Sequence, residues 1–286
     1  MDQPVELIAA GTRVRAVSWA GVHTVIELPD LGVCFDMGIC PESAIRHRRV
    51  FFTHGHVDHV GGIAHHCATR ALRKLPPPEY VVPEDHLAGF EAVLSGFRLL
   101  DRSDLPATFV VARPGEAIDI GKGTRVVPFR AIHRVPTLGY AVTRTRRSLL
   151  PELVGKSNDE IVALRRAGLV IDVAHDVVEA AFCGDTTAGV IEREAAVRSA
   201  RVLILEATFL DDLVSVRRAR ETGHVHLDEL IERADLLQNE AIVLTHFSMR
   251  YSPAEVREIL ARRLPASLRD RVIPLLPAEP TGRALR

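Results

Sequence analysis

Residues 49–62, RVFFTHGHVDHVGG, place His54, His56, Asp58 and His59 within six residues, directly behind an apolar run. Imidazole nitrogens and a carboxylate are the donors that zinc and similar divalent ions select. Extended backbone past the apolar run sends His54, His56 and Asp58 to one side. A tight turn over 55–58, followed by a helix start, brings His59 round as well. One ion takes about four ligands, and a catalytic ion keeps a position open. Four adjacent side chains cannot all close on one ion from a single turn, so two ions are expected, with further ligands downstream. Three residues that close apolar strand-like runs are the candidates: His133 after VVPFRAI, Asp185 after AAFCG and His246 after AIVLT.

These residues need strands to carry them and turns to aim them. The first sixty residues alternate short runs rich in Val, Ile and Phe with turns: TRVRAVSW, HTVIELP, GVCFDMG and RVFFTH. Helical spacing follows in GGIAHHCATRALRKL until PPP stops it, then a strand in YVVP and a helix in EDHLAGFEAVLSGFRLL. TFVVAR, TRVVPFRAIH and GYAVTRT are strands. SNDEIVALRRAG is a helix with Ser157 as N-cap, Glu160 three residues on and Gly168 as its stop. The last third alternates strand and helix: AAFCGD, ARVLILEAT, HLDELIERADLLQ, AIVLTHFS, SPAEVREILARRL, RVIPLL. No repeat, low-complexity stretch or flexible linker interrupts this order, so a single α/β domain over 1–286 is expected, with a loosely held tail from Pro277 to Arg286. His65 and His66, on the helix after the cluster, are expected to be structural.

The chain's 286 residues, 47% hydrophobic and 26% charged, suffice for one large core. No apolar run approaches the roughly 18 residues of a membrane span. MDQPVELIAAGTRV has neither the basic start nor the apolar stretch of a signal peptide, which points to a cytoplasmic protein. Cys34, Cys40, Cys67 and Cys183 are scattered without CxxC spacing and are expected to be reduced. A net charge of −1 says nothing about nucleic acid, so only local clustering can.

HxHxDH, a lone strand-end histidine, GDT and a second strand-end histidine, in that order, resemble the metallo-β-lactamase superfamily. HRVPTLGY, FCGDTT, LILEATF, GHVH and LTHFSMRY resemble, more narrowly, ribonuclease Z, the tRNA 3′-processing endonuclease, in its short, compact plant-type form. The likeness covers about residues 32–251. It implies an αβ/βα four-layer sandwich of two mixed sheets with helices outside and metals at one edge. It also implies a division of ligands: His54, His56 and His133 on one ion, Asp58, His59 and His246 on the other, and Asp185 bridging both. Glu206 of EATF and His224 of GHVH match the pair that the family uses near the leaving group.

The activity so implied is removal of 3′ trailers from pre-tRNA by a zinc-dependent phosphodiesterase, manganese or magnesium being alternatives. Two ions about 3.5–4 Å apart generate hydroxide at neutral pH and relieve charge at phosphorus. Asp58 would orient the water as well as bind metal, and His224, steered by Glu206, would protonate the departing 3′-oxygen, a contribution of about 10²–10⁴-fold. Family members commonly form homodimers in which one subunit grips the tRNA that the other cuts.

Two features depart from the family pattern. SWAGVHTVIELP stands where an LGT opening is usual, and a short basic stretch over about 141–170 replaces the long Gly/Pro-rich arm that clamps tRNA. Arg144, Arg146, Arg147 and Lys156, with Arg165 and Arg166, are its candidate phosphate contacts. Arg70, Arg73 and Lys74 form a second basic patch. His226 of GHVH is placed either at the site edge or at a surface helix start. The competing readings are a hydrolase of the same fold acting on a small phosphodiester, lactone or thioester, and a non-catalytic RNA-binding or assembly subunit.

Overall fold

Among the described residues, 3–277 of the computed structural model, fourteen strands form two sheets of seven. The first contains β1 (Val5–Ala9), β2 (Thr12–Trp19), β3 (His23–Leu28), β4 (Val33–Phe35), β5 (Arg49–Phe51), β6 (Glu79–Pro83) and β7 (Thr108–Ala112), in that order. The second contains β8 (Ile118–Gly121), β9 (Thr124–Arg130), β10 (Leu138–Leu149), β11 (Asp172–Phe182), β12 (Val202–Glu206), β13 (Ala241–Thr245) and β14 (Val272–Pro274), again in chain order. β1 to β4 are antiparallel neighbours and β4 to β7 parallel ones. β8 to β11 are antiparallel and β11 to β14 parallel. The second half therefore repeats the wiring of the first, although no sequence repeat announces it.

Parallel neighbours need crossovers, and helices occupy most of them. α1 (Val57–Val60), α2 (Ile63–Leu72) and α3 (Leu87–Asp101) serve the first sheet. α4 (Asn158–Arg166) sits between β10 and β11. α5 (Val190–Arg193), α6 (Ala195–Ser199), α7 (Val216–Thr222), α8 (Leu227–Glu232), α9 (Pro253–Arg263) and α10 (Ala266–Arg269) serve the second sheet. Strand alternation divides the apolar residues between two faces. Phe51, Val81, Phe182, Ile204 and Val243 pack between the sheets. Their neighbours Val50, Phe52, Tyr80, Leu203 and Leu244 pack with the helix residues Ile63, Leu94, Val190 and Leu260. Across the sheet interface the Phe35 ring lies 5.7 Å from Tyr140 and 5.3 Å from Phe182, and the Tyr140 hydroxyl donates to the Phe52 carbonyl at 2.6 Å. Full burial of each such phenylalanine stabilises the fold by about 2–3 kcal/mol. The result is the αβ/βα four-layer sandwich of two mixed sheets with helices outside.

Several strands end earlier than their apolar runs suggest. β5 stops at Phe51 and β9 at Arg130, so His54 and His133 stand in loops beyond the strands. Asp58 and His59 lie on α1, whose N-cap is His56, so helical geometry rather than strand alternation places Asp58. The structure adds the edge strands β1 and β8 and the outer half of the β10–β11 hairpin; in that outer half, exposed residues on both faces erase the period-two signal. α4 carries its expected capping box, Ser157 with Glu160, and the chain turns beyond it at Gly168, φ +78°. The four cysteines are unpaired, with Cys34, Cys67 and Cys183 buried. From residue 278 on, the tail read as loosely held lies outside the described residues.

Candidate metal centre

The carboxyl ends of the parallel strands feed loops that meet at one edge, the usual place for a ligand in sheets of this kind. His54, after β5, is buried, and its Nδ1 donates to the Thr53 hydroxyl at 2.9 Å. That hydroxyl and the Thr53 amide donate to Asp36, a buried carboxylate just past β4. Asp36 also accepts from His59 Nδ1 at 2.8 Å. His133 Nδ1 donates to the Gly223 carbonyl at 2.8 Å. His246 Nδ1 lies 3.0 Å from the Thr208 hydroxyl, which itself donates to Glu206. Each of these four rings is thus held by Nδ1, with Nε2 turned toward the other donors.

The free nitrogens converge. His54 Nε2 lies 2.9 Å from His56 Nδ1, and His133 Nε2 lies 3.4 Å from the same atom. Asp185 faces both clusters: Oδ2 is 3.8 Å from His54 Nε2, while Oδ1 is 3.2 Å from His59 Nε2 and 3.3 Å from His246 Nε2. Asp58 Oδ2 is 3.7 Å from His59 Nε2 and 3.6 Å from His246 Nε2, and it accepts from the Gly21 amide at 2.9 Å. Donor atoms of His54, His56, His133 and Asp185 can surround one ion, and those of Asp58, His59 and His246 a second.

The donor set fits divalent metal on two counts. Lone pairs that approach to 2.9 Å repel unless a proton or cation lies between them. The buried Nε2 atoms of His59 and His246 have no hydrogen-bond partner, a costly state for a polar atom unless something coordinates them. Burial also pulls His54, His56 and His133 below the ordinary histidine range, which keeps their lone pairs available at neutral pH. Burial works against the Asp58 carboxylate, but the nearby His246 ring and the charge of His59 hold it at about 2. His246 itself takes φ +59°, a strained backbone for a non-glycine residue, stabilised by the Ala20 amide bonded to the Phe247 carbonyl.

Glu206, at the end of β12, is nearly inaccessible to solvent. It accepts from the Thr186 amide at 2.8 Å, the Val225 amide at 3.2 Å, the Thr208 hydroxyl and His224 Nδ1 at 2.9 Å. These donors use its lone pairs, so it orients His224 rather than binding metal. The His224 ring stands 5.2 Å from His133 and 5.5 Å from His246. Burial lowers its basicity, but the Glu206 carboxylate more than compensates and raises it to about 9.

Other candidates lie elsewhere. His226 caps α8, accepting from the Asp228 amide while its Nε2 meets the Asp211 carbonyl, so it belongs to a helix start, though a buried one. His65 is exposed, and His66 is buried against the Tyr80 hydroxyl. Arg144 reaches Thr124 and the Asp30 carbonyl, Arg146 pairs bidentately with buried Glu179, Arg147 with Asp172, and Lys156 with Glu160. Arg70 is buried on the Ile45 and Pro76 carbonyls and cannot serve a surface patch. Asp36 and Thr208 escaped the sequence reading. Asp36 ends an apolar strand in GVCFDMG as Asp185 ends AAFCGD, and that shared position was the available signal.

A family model described as a beta-lactamase superfamily domain matches residues 41–247. The chain is 37% identical to tRNase Z TRZ1 of Arabidopsis thaliana over 96% of its length and 99% of the relative's. It is 33% identical to the chloroplastic tRNase Z TRZ2 of the same plant, over 92% of this chain and 74% of that one. In fold it is similar to the crystal structure of human tRNase Z, short form, with TM-score 0.56 and 22% identity over 82% of this chain and 91% of that one. With the family model spanning residues 41–247 and this identity extending over nearly the whole of both chains, the chain belongs to the ribonuclease Z family of the beta-lactamase superfamily.

Proposed function

We propose that the protein is a metal-dependent endoribonuclease that removes 3′ trailers from pre-tRNA. The observation that carries this reading is the His224–Glu206 pair set against a two-cluster donor site, in a chain similar to tRNase Z along nearly its whole length. His54, His56 and His133 would hold one ion, Asp58, His59 and His246 the other, and Asp185 both. The nitrogen and carboxylate donors favour zinc over the harder magnesium, with manganese also accommodated. When bound, the ions supply an activated water and charge stabilisation at phosphorus.

The chain's own residues supply the rest. Asp58, ionised and fixed by the Gly21 amide, orients the attacking water. His224 carries a proton at neutral pH and delivers it to the leaving 3′-oxygen. Glu206 keeps that imidazole protonated and aimed. On the β10–β11 hairpin and its connecting segment, Arg144, Arg146, Arg147 and Lys156 would turn to phosphates of the RNA. Arg147, whose side chain is 66% exposed, is freer to do so than Arg146, which neutralises buried Glu179.

The family likeness further supports one domain over 1–286 with a short basic insertion at about 141–170, and a homodimer. Among the described residues no helix is long and apolar enough to cross a membrane. The test is incubation with pre-tRNA and with a chromogenic phosphodiester, with zinc or manganese and with chelator. Metal-dependent trailer removal is expected. Hydrolysis of the small ester alone would replace the tRNA assignment with a small substrate.

A further inference from the structure

Beside the metal centre lies a pocket of about 150 Å³ that the proposed mechanism does not use. Its floor is formed by Val60, Ile63 and Phe90, its rim by Val93, and its sides by Gly55, Gly89 and the ring of His86. The chain places it against the chemistry. Gly55 separates His54 from His56, and Val60 directly follows His59. His86 ties the far wall to the same site, because its Nε2 donates to the carbonyl of Pro136 at 2.7 Å, in the loop that carries His133.

We infer that this pocket is a nucleobase subsite, holding one base next to the scissile phosphate. The inference rests on the pre-tRNA reading given above. No charged side chain lines the pocket, so it does not suit a phosphate. Its walls are an aromatic ring, aliphatic side chains and an imidazole, the surfaces on which splayed-out RNA bases stack. The bond to Pro136 fixes the tautomer of His86, with hydrogen on Nε2 and a lone pair on Nδ1. That Nδ1 makes no hydrogen bond, although His86 is the N-cap of α3 and its ring could have served the helix. An apolar slot with one acceptor at its edge matches a neutral planar heterocycle bearing an N–H group. Two of the lining positions are glycines, without side chains to occupy the slot. A Cβ at position 55 would stand 3.4 Å from His86 Nδ1, and one at position 89 would meet nothing within 4 Å.

Gly89→Leu adds a bulky side chain at the slot's lining, from a helical position where leucine is the better helix former and a Cβ meets no neighbour. The experiment pairs this variant with pre-tRNAs carrying an abasic residue at the discriminator or at the first trailer position. With the wild-type enzyme, one of the two abasic substrates should lose about tenfold or more in kcat/KM, the scale of one stacked base. Gly89→Leu should lose a similar factor on the intact substrate and nothing further on that abasic one. Val93→Gln, at the rim, should show the same coupling at smaller size. Penalties that simply multiply would overturn the subsite. So would a Gly89→Leu enzyme changed only in oligomeric state, which would make the slot a contact between copies. If the wild-type enzyme cuts no pre-tRNA, the functional reading falls first and the subsite falls with it.

Discussion

His133 and Gly223, ninety residues apart in the chain, are joined by a hydrogen bond of 2.8 Å from Nδ1 to the carbonyl oxygen. Gly223 ends α7 with φ +82°, and a Cβ there would lie 2.5 Å from His133 Nδ1. The bond fixes the tautomer of a candidate metal-binding ring and places the next residue, His224, beside it. Gly223→Ala should therefore strain the turn by about 1–2 kcal/mol and weaken the ion at His54, His56 and His133 by about 10–100-fold. Metal titration with activity assays would measure this, and unchanged affinity would show that the ring is held by other means.

Asp36 accepts from Thr53 and from His59, so it braces both sides of the centre. Asp36→Asn should remove the preference for hydrogen on His59 Nδ1 and weaken the second ion by about 10–100-fold. Bound metal, measured by elemental analysis, should fall from two equivalents toward one. Two equivalents of normal affinity would deny Asp36 its positioning role.

His224 touches the ligand rings but is engaged by Glu206. His224→Ala should lower turnover by about 10²–10⁴-fold, as expected for loss of a general acid, while both ions stay bound. Loss of metal together with activity would reassign His224 to the ligand set.

His66 titrates through the fold rather than the site. Burial, with help from the Arg70 charge, lowers it to about 4 against an ordinary 6.5. Its folded-state value lies below its unfolded one, so its stabilisation is complete above about pH 6.5 and is lost as pH falls toward 4. The full effect is about 3 kcal/mol. Denaturant melts from pH 8 to 4 should show His66→Leu losing less stability with acid than the wild type. Parallel curves would mean that His66 does not carry the proton linkage.

Arg147 and Lys156 are the hairpin cations proposed above to meet phosphate. Replacing both with alanine should reduce the slope of log affinity against log salt by about one to two, measured with pre-tRNA in chelator. An unchanged slope would move RNA contact away from this arm.

Donor chemistry was more legible in the sequence than donor placement. The structure gathers His54, His56, Asp58, His59, His133, Asp185 and His246 at one edge because each sits in the loop or short helix that follows an apolar strand, and that juxtaposition is written in the chain. Asp36 was hidden because a single acid after a strand looks like any turn aspartate. The partners of the hairpin cations were hidden because Glu179 and Asp172 come from β11, far along the chain from Arg146 and Arg147. The strand pattern gave an α/β chain, but the repeat of wiring between its halves lies in pairing order, which side-chain periodicity does not record.

The most direct test is to map the ends made from a pre-tRNA with a 3′ trailer, in zinc or manganese, by wild-type protein and by Asp185→Ala. The account predicts one metal-dependent cut immediately after the discriminator base, absent from the variant. An uncut precursor, or cuts that persist in Asp185→Ala, would contradict it.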